Sequence, residues 1–346
     1  LKGLAELVTI SESDIERFKE QLLANRSFRR ISLRSRLNED EVARLAVNRH
    51  RFPGMDINAR LTRYYPQGES AAHAVGYVGR INEKELTVID EGNYRGTSHI
   101  GKTGLEKYYE AELHGQVGRQ KVEVNAQGRV LRVLDKTAPV AGNDLVLNLD
   151  IELQRIAEEG LGEFAGAVIA IEPHTGGVVV FVSEPGFDPN MFVHGIRYKD
   201  YDALTHGAYK PLFNRALFGQ YPPGSTMKPF IGLAGIEQRR FGVKESLYCK
   251  GHYLLPNDAT ERKYRDWKKD GHGHTDMDNA IEQSCDVYFY ELAYRLGIDR
   301  IHDFLDKFGF GQRTGIDLYG ERRGLLPSRA WKKKVHKTIW YPGETL

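Results

Sequence analysis

Tyr221-Pro-Pro-Gly-Ser-Thr-Met-Lys-Pro-Phe230 decides the reading of this chain, because it sets a hydroxyl and an amine one turn apart at the mouth of a helix. Two prolines and Gly224 make a turn, and Phe230, Ile231, Leu233, Ala234 and Ile236 then recur at helical spacing, which predicts a helix beginning near Ser225. Pro229 falls in its first turn, where a missing N–H costs little. Ser225 and Lys228 stand at i and i+3, on one face, so the amine comes within reach of the hydroxyl. The free N–H groups of the helix start suit a developing oxyanion. A Ser-x-x-Lys alone also describes a helix cap with a solvated lysine, so the rest of the chain has to decide.

Around this stretch, residues 143–346 read as an α+β domain with helices against an antiparallel sheet. Leu145–Leu149 reads as a strand, and Asp150 caps a helix running through Leu153, Ile156, Ala157 and Leu161. The apolar runs 166–171 and 178–182 predict an antiparallel pair buried on both faces, on which the helix after Ser225 packs. Helices are predicted at 277–296 and 300–308. Residues 1–142 mix short elements: surface helices at 12–25 and 38–48, the second capped by Asn38; a strand over 55–64; a helix from Gly101-Lys-Thr-Gly104 to Leu113; and a hairpin over 121–133 turning at 125–128. No acid–base cluster lies in this first part, which reads as a structural pedestal.

Composition narrows the class without naming it. With 346 residues the chain has room for two cores, and 40% hydrophobic and 28% charged residues describe a folded protein. A net charge of +2 gives no case for a nucleic-acid partner. No stretch approaches the roughly 20 apolar residues of a membrane span. The chain starts at Leu1 rather than Met and reads as a fragment, so the lack of an anchor in it says nothing about the natural protein.

Tyr-Pro-Pro-Gly-Ser-Thr-Met-Lys-Pro resembles the active-site helix start of the high-molecular-weight penicillin-binding proteins. Further landmarks follow in the order of their class B members. Arg63-Tyr-Tyr-Pro66, Gly101-Lys-Thr-Gly-Leu-Glu-Lys-Tyr-Tyr109 and Leu113-His-Gly115 resemble the non-catalytic, dimerisation-like pedestal, and Asn148-Leu-Asp150 resembles the entry to the transpeptidase domain. Asp188-Pro-Asn190 and Asn214-Arg-Ala216 precede the Ser225 segment, and Ser284-Cys-Asp286 stands where the S-x-N motif is expected. Lys263-Tyr-Arg-Asp-Trp-Lys-Lys269 with Gly271-His272 is similar to the elongation-type subgroup, penicillin-binding protein 2. Two features depart from the pattern. Asp286 replaces the usual Asn, and the K-[ST]-G motif does not follow Ser284 before Leu346. Lys102-Thr-Gly104 has its letters but precedes Ser225 and opens a pedestal helix, so it is not read as catalytic.

The resemblance implies a peptidoglycan D,D-transpeptidase of cell elongation, acting on stem peptides that end in D-Ala-D-Ala and acylated by β-lactams. Ser225 is then the nucleophile and Lys228 its base, Ser284 passes a proton to the leaving amine, and Asp286 faces Lys228. A D,D-carboxypeptidase would use the same residues with water as acceptor. A non-enzymatic β-lactam sensor or assembly scaffold would acylate without release. The resemblance also implies a single N-terminal anchor in the bacterial inner membrane, a periplasmic catalytic face, and a membrane glycosyltransferase and elongation-complex proteins as partners of the pedestal. Cys249, Asp266, His272 and Cys285 match the positions where that subgroup places zinc ligands, and the residue types suit Zn²⁺. A Cys249–Cys285 disulfide and two free thiols remain the other readings, while His274, Asp270 and Asp276 read as solvated loop residues.

Overall fold

The structure, a computed structural model, describes residues 2–24, 31–34, 37–59, 61–125, 130–193 and 195–346. Two compact units emerge: Leu1–Leu147 with Gly186–Lys210, and Asn148–Pro185 with Pro211–Leu346. Among the described residues every sheet is a two-stranded antiparallel pair.

In the first unit, α1 (Glu12–Ala24) and α2 (Glu39–Val47) stand where the apolar spacing places them. The Asn38 cap is a reciprocal box: its side-chain oxygen accepts from Glu41 N at 2.8 Å, and the Glu41 carboxylate accepts from Asn38 N at 3.0 Å. β1 (Val78–Arg80) pairs with β2 (His99–Gly101), and α3 (Gly104–Tyr108) and α4 (Glu110–His114) follow. Gly101 is required there, since a Cβ on it would sit 2.0 Å from the Glu106 carbonyl oxygen. β3 (Arg119–Val124) and β4 (Val130–Thr137) form the expected hairpin, whose turn residues 126–128 lie outside the described residues.

The expected strand over 55–64 does not form in its described residues. Leu61 is fully exposed, and apolar alternation becomes a strand only where a neighbour takes its backbone groups. The buried polar centre of this unit is Glu106. It receives Arg63 Nε at 2.7 Å and the Tyr65 hydroxyl at 3.1 Å, and that hydroxyl accepts from Val78 N at 2.8 Å. Burial raises the Glu106 carboxyl above its usual range although Arg63 and Tyr65 pull it down. Segment Gly186–Lys210 joins the same unit through Asn190, which bonds both Tyr65 N and Tyr65 O at 3.0 and 2.9 Å.

In the second unit, Asp150 caps α5 (Ile151–Leu161), accepting from Glu152 N at 2.9 Å and Leu153 N at 3.1 Å. β5 (Gly166–Ile171) and β6 (Val178–Glu184) pair antiparallel, and the fully buried Gln154 locks α5 to β6 by bonding Phe181 N and Phe181 O. Two expectations about this region are corrected. Leu145–Leu149 has no strand partner and forms no strand. The pair is not buried on both faces: β6 is covered, whereas Ile169 and Ile171 of β5 are 46% and 56% exposed.

After a 3₁₀ turn over Gly224–Met227, α6 (Lys228–Glu237) carries Pro229 in its first turn, as read. It packs on a later helix rather than on the β5–β6 pair. Between them come two small ribbons, β7 (Leu247–Cys249) with β10 (Gly273–Thr275) and β8 (His252–Leu254) with β9 (Lys263–Arg265). The predicted helix over 277–296 is broken. α7 (Met277–Glu282) ends, Ser284 turns left-handed at φ 51°, and α8 (Asp286–Asp306) begins, itself interrupted at Gly297. α6 and α8 approach closely because Gly235 faces Leu292, where a Cβ would come within 2.7 Å of Leu292 Cδ1. Ala234, Tyr288, Leu292, Leu296 and Phe304 form the centre of this core. Each large side chain there contributes about 1.5–3 kcal/mol of burial. That packing fixes where both ends of the candidate site stand.

Candidate functional site

Lys228, the first residue of α6, points its amine at the break between α7 and α8. Nζ donates to Ser284 O at 2.8 Å, Ser284 Oγ at 2.9 Å and Asp286 Oδ1 at 2.6 Å, which engages the three hydrogens of an ammonium. Ser284 Oγ lies 2.8 Å from Ser225 Oγ. Ser225 is exposed, while the Lys228 side chain is nearly buried over the Phe289 ring. The four sequence candidates Ser225, Lys228, Ser284 and Asp286 therefore come together, but not as first drawn. No hydrogen bond joins Lys228 to Ser225 directly: Ser225 sits in the 3₁₀ turn ahead of α6, and Ser284 bridges the two.

Ser284 reaches both neighbours because its backbone is left-handed, a conformation that non-glycine residues hold only where surrounding structure over-determines it. Lys102-Thr-Gly104 belongs to the first unit. Thr103 precedes α3, and Lys102 is paired with Glu85.

A second cluster lies behind Asp286. Pairing of β7 with β10 sets Cys249 opposite Gly273, and the left-handed Gly271 lets the chain pass against the Cys249 carbonyl, so His272 arrives beside Cys249. Asp266 follows β9, and Cys285 precedes α8. Cys249 Sγ stands 3.6 Å from Asp266 Oδ2 and 3.6 Å from His272 Nδ1, Cys285 Sγ 3.4 Å from Asp266 Oδ2, and His272 Nδ1 3.7 Å from Asp266 Oδ2. One ligand atom from each of the four lies within 4.8 Å of all the others. Both thiols are free.

Burial opposes the charged form of Asp266, yet the N–H groups of Lys268 and Val287, the Cys285 thiol and His272 hold its carboxyl below the usual range. Burial first, and then Cys249 and Asp266, push the Cys285 thiol up. Of the neighbours read as loop residues, His274 packs edge-on against Tyr248 and Asp276 caps α7 by accepting from Asn279 N at 3.1 Å.

Trp267 is the residue that sequence reasoning passed over. Its amide donates to Asp286 Oδ2 at 3.3 Å and its indole Nε1 to Gln283 O at 3.1 Å. The signal within reach was its place next to Asp266 in the segment quoted for subgroup likeness.

The penicillin-binding protein transpeptidase domain matches residues 166–340, and the penicillin-binding protein dimerisation domain matches residues 1–147. The chain belongs to the penicillin-binding protein family. It is 43% identical to peptidoglycan D,D-transpeptidase MrdA of Acinetobacter baumannii over 100% of this chain and 51% of that protein.

Among solved structures, penicillin-binding protein 2 of Pseudomonas aeruginosa in complex with WCK 5153 has a TM-score of 0.75 at 47% identity, covering 84% of this chain and 60% of that one. The complex between penicillin-binding protein 2 and MreC from Helicobacter pylori has a TM-score of 0.84 at 31% identity, covering 100% and 65%. These similarities fall on the subgroup to which the sequence resemblance pointed. The chain spans about half the length of the curated relatives it matches, 51% and 55% of the first two.

Proposed function

We propose that this chain carries the acylation centre of a peptidoglycan D,D-transpeptidase of cell elongation, with 1–142 as its non-catalytic pedestal and 143–346 as the transpeptidase domain, of which Gly186–Lys210 packs within the pedestal's unit. The observation that carries the reading is the run of hydrogen bonds from the half-buried Asp286 through Lys228 and Ser284 to the exposed Ser225 hydroxyl. As a neutral amine, Lys228 accepts along this run: Ser225 Oγ–H donates to Ser284 Oγ, whose own hydrogen passes to Lys228 Nζ.

Ser225 Oγ attacks the carbonyl of the penultimate D-Ala, and the proton returns through Ser284 to the departing D-Ala amine, leaving an acyl-enzyme. An amine of a neighbouring stem peptide then displaces Ser225 and forms the cross-link. Asp286 holds Lys228 Nζ against Ser284 between the two proton transfers. β-Lactams acylate Ser225 by the same route.

The reading is tested by intact mass after exposure to a penicillin. The parent gains one penicilloyl adduct, Ser225→Ala gains none, and an equal adduct on Ser225→Ala removes Ser225 as the nucleophile.

We also propose that Cys249, Asp266, His272 and Cys285 hold Zn²⁺. In a tetrahedron with bonds of about 2.3 Å to sulfur and 2.0–2.1 Å to nitrogen and oxygen, ligand atoms stand about 3.3–3.8 Å apart. Four of the six ligand-atom separations run from 3.4 to 3.7 Å, and all six lie within 4.8 Å. His272 presents Nδ1 to the cluster, while its Nε2 is buried without a partner. A closed four-ligand zinc supplies structural cross-linking rather than an open coordination position. Metal analysis checks this: about one zinc per parent chain and much less in Cys249→Ser, whereas a mass two daltons below the reduced value with no metal supports the disulfide.

The Helicobacter pylori relative was solved with MreC, and another similar structure belongs to a peptidoglycan synthase complex that joins polymerisation and cross-linking. By that likeness we assign elongation-complex proteins and a membrane glycosyltransferase to the pedestal. No helix among the described residues is long and apolar enough to cross a membrane, and we place the chain at the periplasmic face of the inner membrane by the same likeness.

A further inference from the structure

The segment Ser284-Cys285-Asp286 is held from outside its own helices. Cys285 precedes α8 without a side-chain cap, so the first N–H groups of α8 need another acceptor. Asp266 supplies it: Oδ2 accepts from Asp286 N at 2.9 Å and Val287 N at 3.1 Å. Its neighbour Trp267 then grips both ends of the segment. The backbone amide donates to Asp286 Oδ2, the carboxylate oxygen that Lys228 does not use, and the indole N–H donates to Gln283 O just before Ser284. Between these two anchor points lies the left-handed Ser284.

Trp267 is 64% exposed, so apolar burial explains little of its placement. Its ring lies edge-on to His272 at 5.5 Å, which fixes the side chain over the segment instead of letting it swing into solvent.

We propose that Trp267 is a positioning residue for acylation. By holding Gln283 O and Asp286 Oδ2 from one loop, it keeps Ser284 in the left-handed conformation that links Ser225 to Lys228. The proposal rests on the function proposed above. It predicts that the side chain acts on the acylation step and not on recognition of the β-lactam. A transition state that moves a proton along three hydrogen-bonded atoms is sensitive to small displacements, whereas the initial complex is not.

The test uses Trp267→Phe, which keeps the ring on His272 and the backbone amide but removes the indole donor, beside Trp267→Ala. Neither change touches the α6–α8 core. Stopped-flow acylation by a fluorescent penicillin separates the first-order acylation constant from dissociation of the initial complex. The acylation constant is expected to fall about five-fold in Trp267→Phe, the equivalent of one hydrogen bond, and about 50-fold in Trp267→Ala, where ring and donor are both lost. Initial dissociation constants, zinc per chain and thermal midpoints should stay at parent values. Parent acylation constants in both variants overturn the proposal, and so does a rate loss that tracks loss of zinc. If the parent itself forms no adduct, the proposed function falls instead. Positioning is then decided by hydrogen exchange of the Gln283–Val287 peptide: several-fold faster exchange in Trp267→Phe supports it, and unchanged exchange overturns it.

Discussion

Each unit holds a cation–carboxylate pair of nearly the same length, 2.7 Å for Arg63–Glu106 and 2.6 Å for Lys228–Asp286, and the two are wired differently. Around Glu106 every bond closes inward, with Tyr65 and Val78 completing a ring of partners inside the first unit. Around Lys228 the bonds run outward, through a left-handed Ser284 to an exposed hydroxyl. Pair distance alone therefore says nothing about chemistry. What separates the two is an open end and a backbone held in an uncommon conformation to reach it. Lys102-Thr-Gly104 makes the same point: it has the letters of a catalytic motif, but its lysine ends on Glu85.

The largest expected effect is at the amine. Lys228→Ala should slow penicillin acylation by about 10³-fold, the usual worth of a positioned base, as read by the rate of adduct formation. A rate within tenfold of the parent would put Lys228 on the same footing as Arg63. Next comes Ser284→Gly, which removes the bridging hydroxyl and frees the φ of 51° for a residue that adopts it without strain. Acylation should fall about 100-fold, while denaturant unfolding shows stability unchanged or raised by up to about 1 kcal/mol. Unchanged acylation with lower stability would make Ser284 a structural residue.

Smaller effects belong to the closed network. Glu106→Ala should destabilise the first unit by about 2 kcal/mol by stripping Arg63 and Tyr65 of their acceptor, and acylation should stay within twofold. A change in acylation comparable to that of Ser284→Gly would erase the contrast. The smallest effect is in pH. Because the folded Glu106 carboxyl is raised above 4.5, the unfolded chain loses its proton first as pH increases. The stability that Glu106 adds over Glu106→Ala is thus greatest below pH 4.5 and declines as pH rises through the raised value, then levels off. A difference that grows with pH would mean that the ionised pair is the favoured form.

Features set by neighbours in the chain were legible before any coordinates. Asn38 and Asp150 cap the helices that follow them because a cap needs a side chain only two or three residues from its donor. The four residues of the Ser225 cluster and the four of the cysteine cluster were also named, although their geometry depends on how α6, α7, α8 and the ribbons pack. What failed was non-local. The strands read at 55–64 and 145–149 lack a partner, and β5 alternates because only one of its faces is covered. The break at Ser284 inside an apparently continuous helix carries no letter that announces a positive φ. Trp267 was missed because half of its grip is a backbone amide, which looks alike in every residue.

Gly297 divides α8 with φ 71° and ψ 157°, so Asp286–Leu296 and Ile298–Asp306 are two rods meeting at a joint. A continuous helix transmits torsion from one end to the other, and a joint does not. An insertion between Asp286 and Leu296 would turn the two ends of that rod relative to each other by about 100° per residue, a rotation that the joint at Gly297 does not pass on as helix. The far rod, with Ile301, Phe304 and Leu305 buried in the core, is therefore seated by its own packing and not by the rod that begins at Asp286.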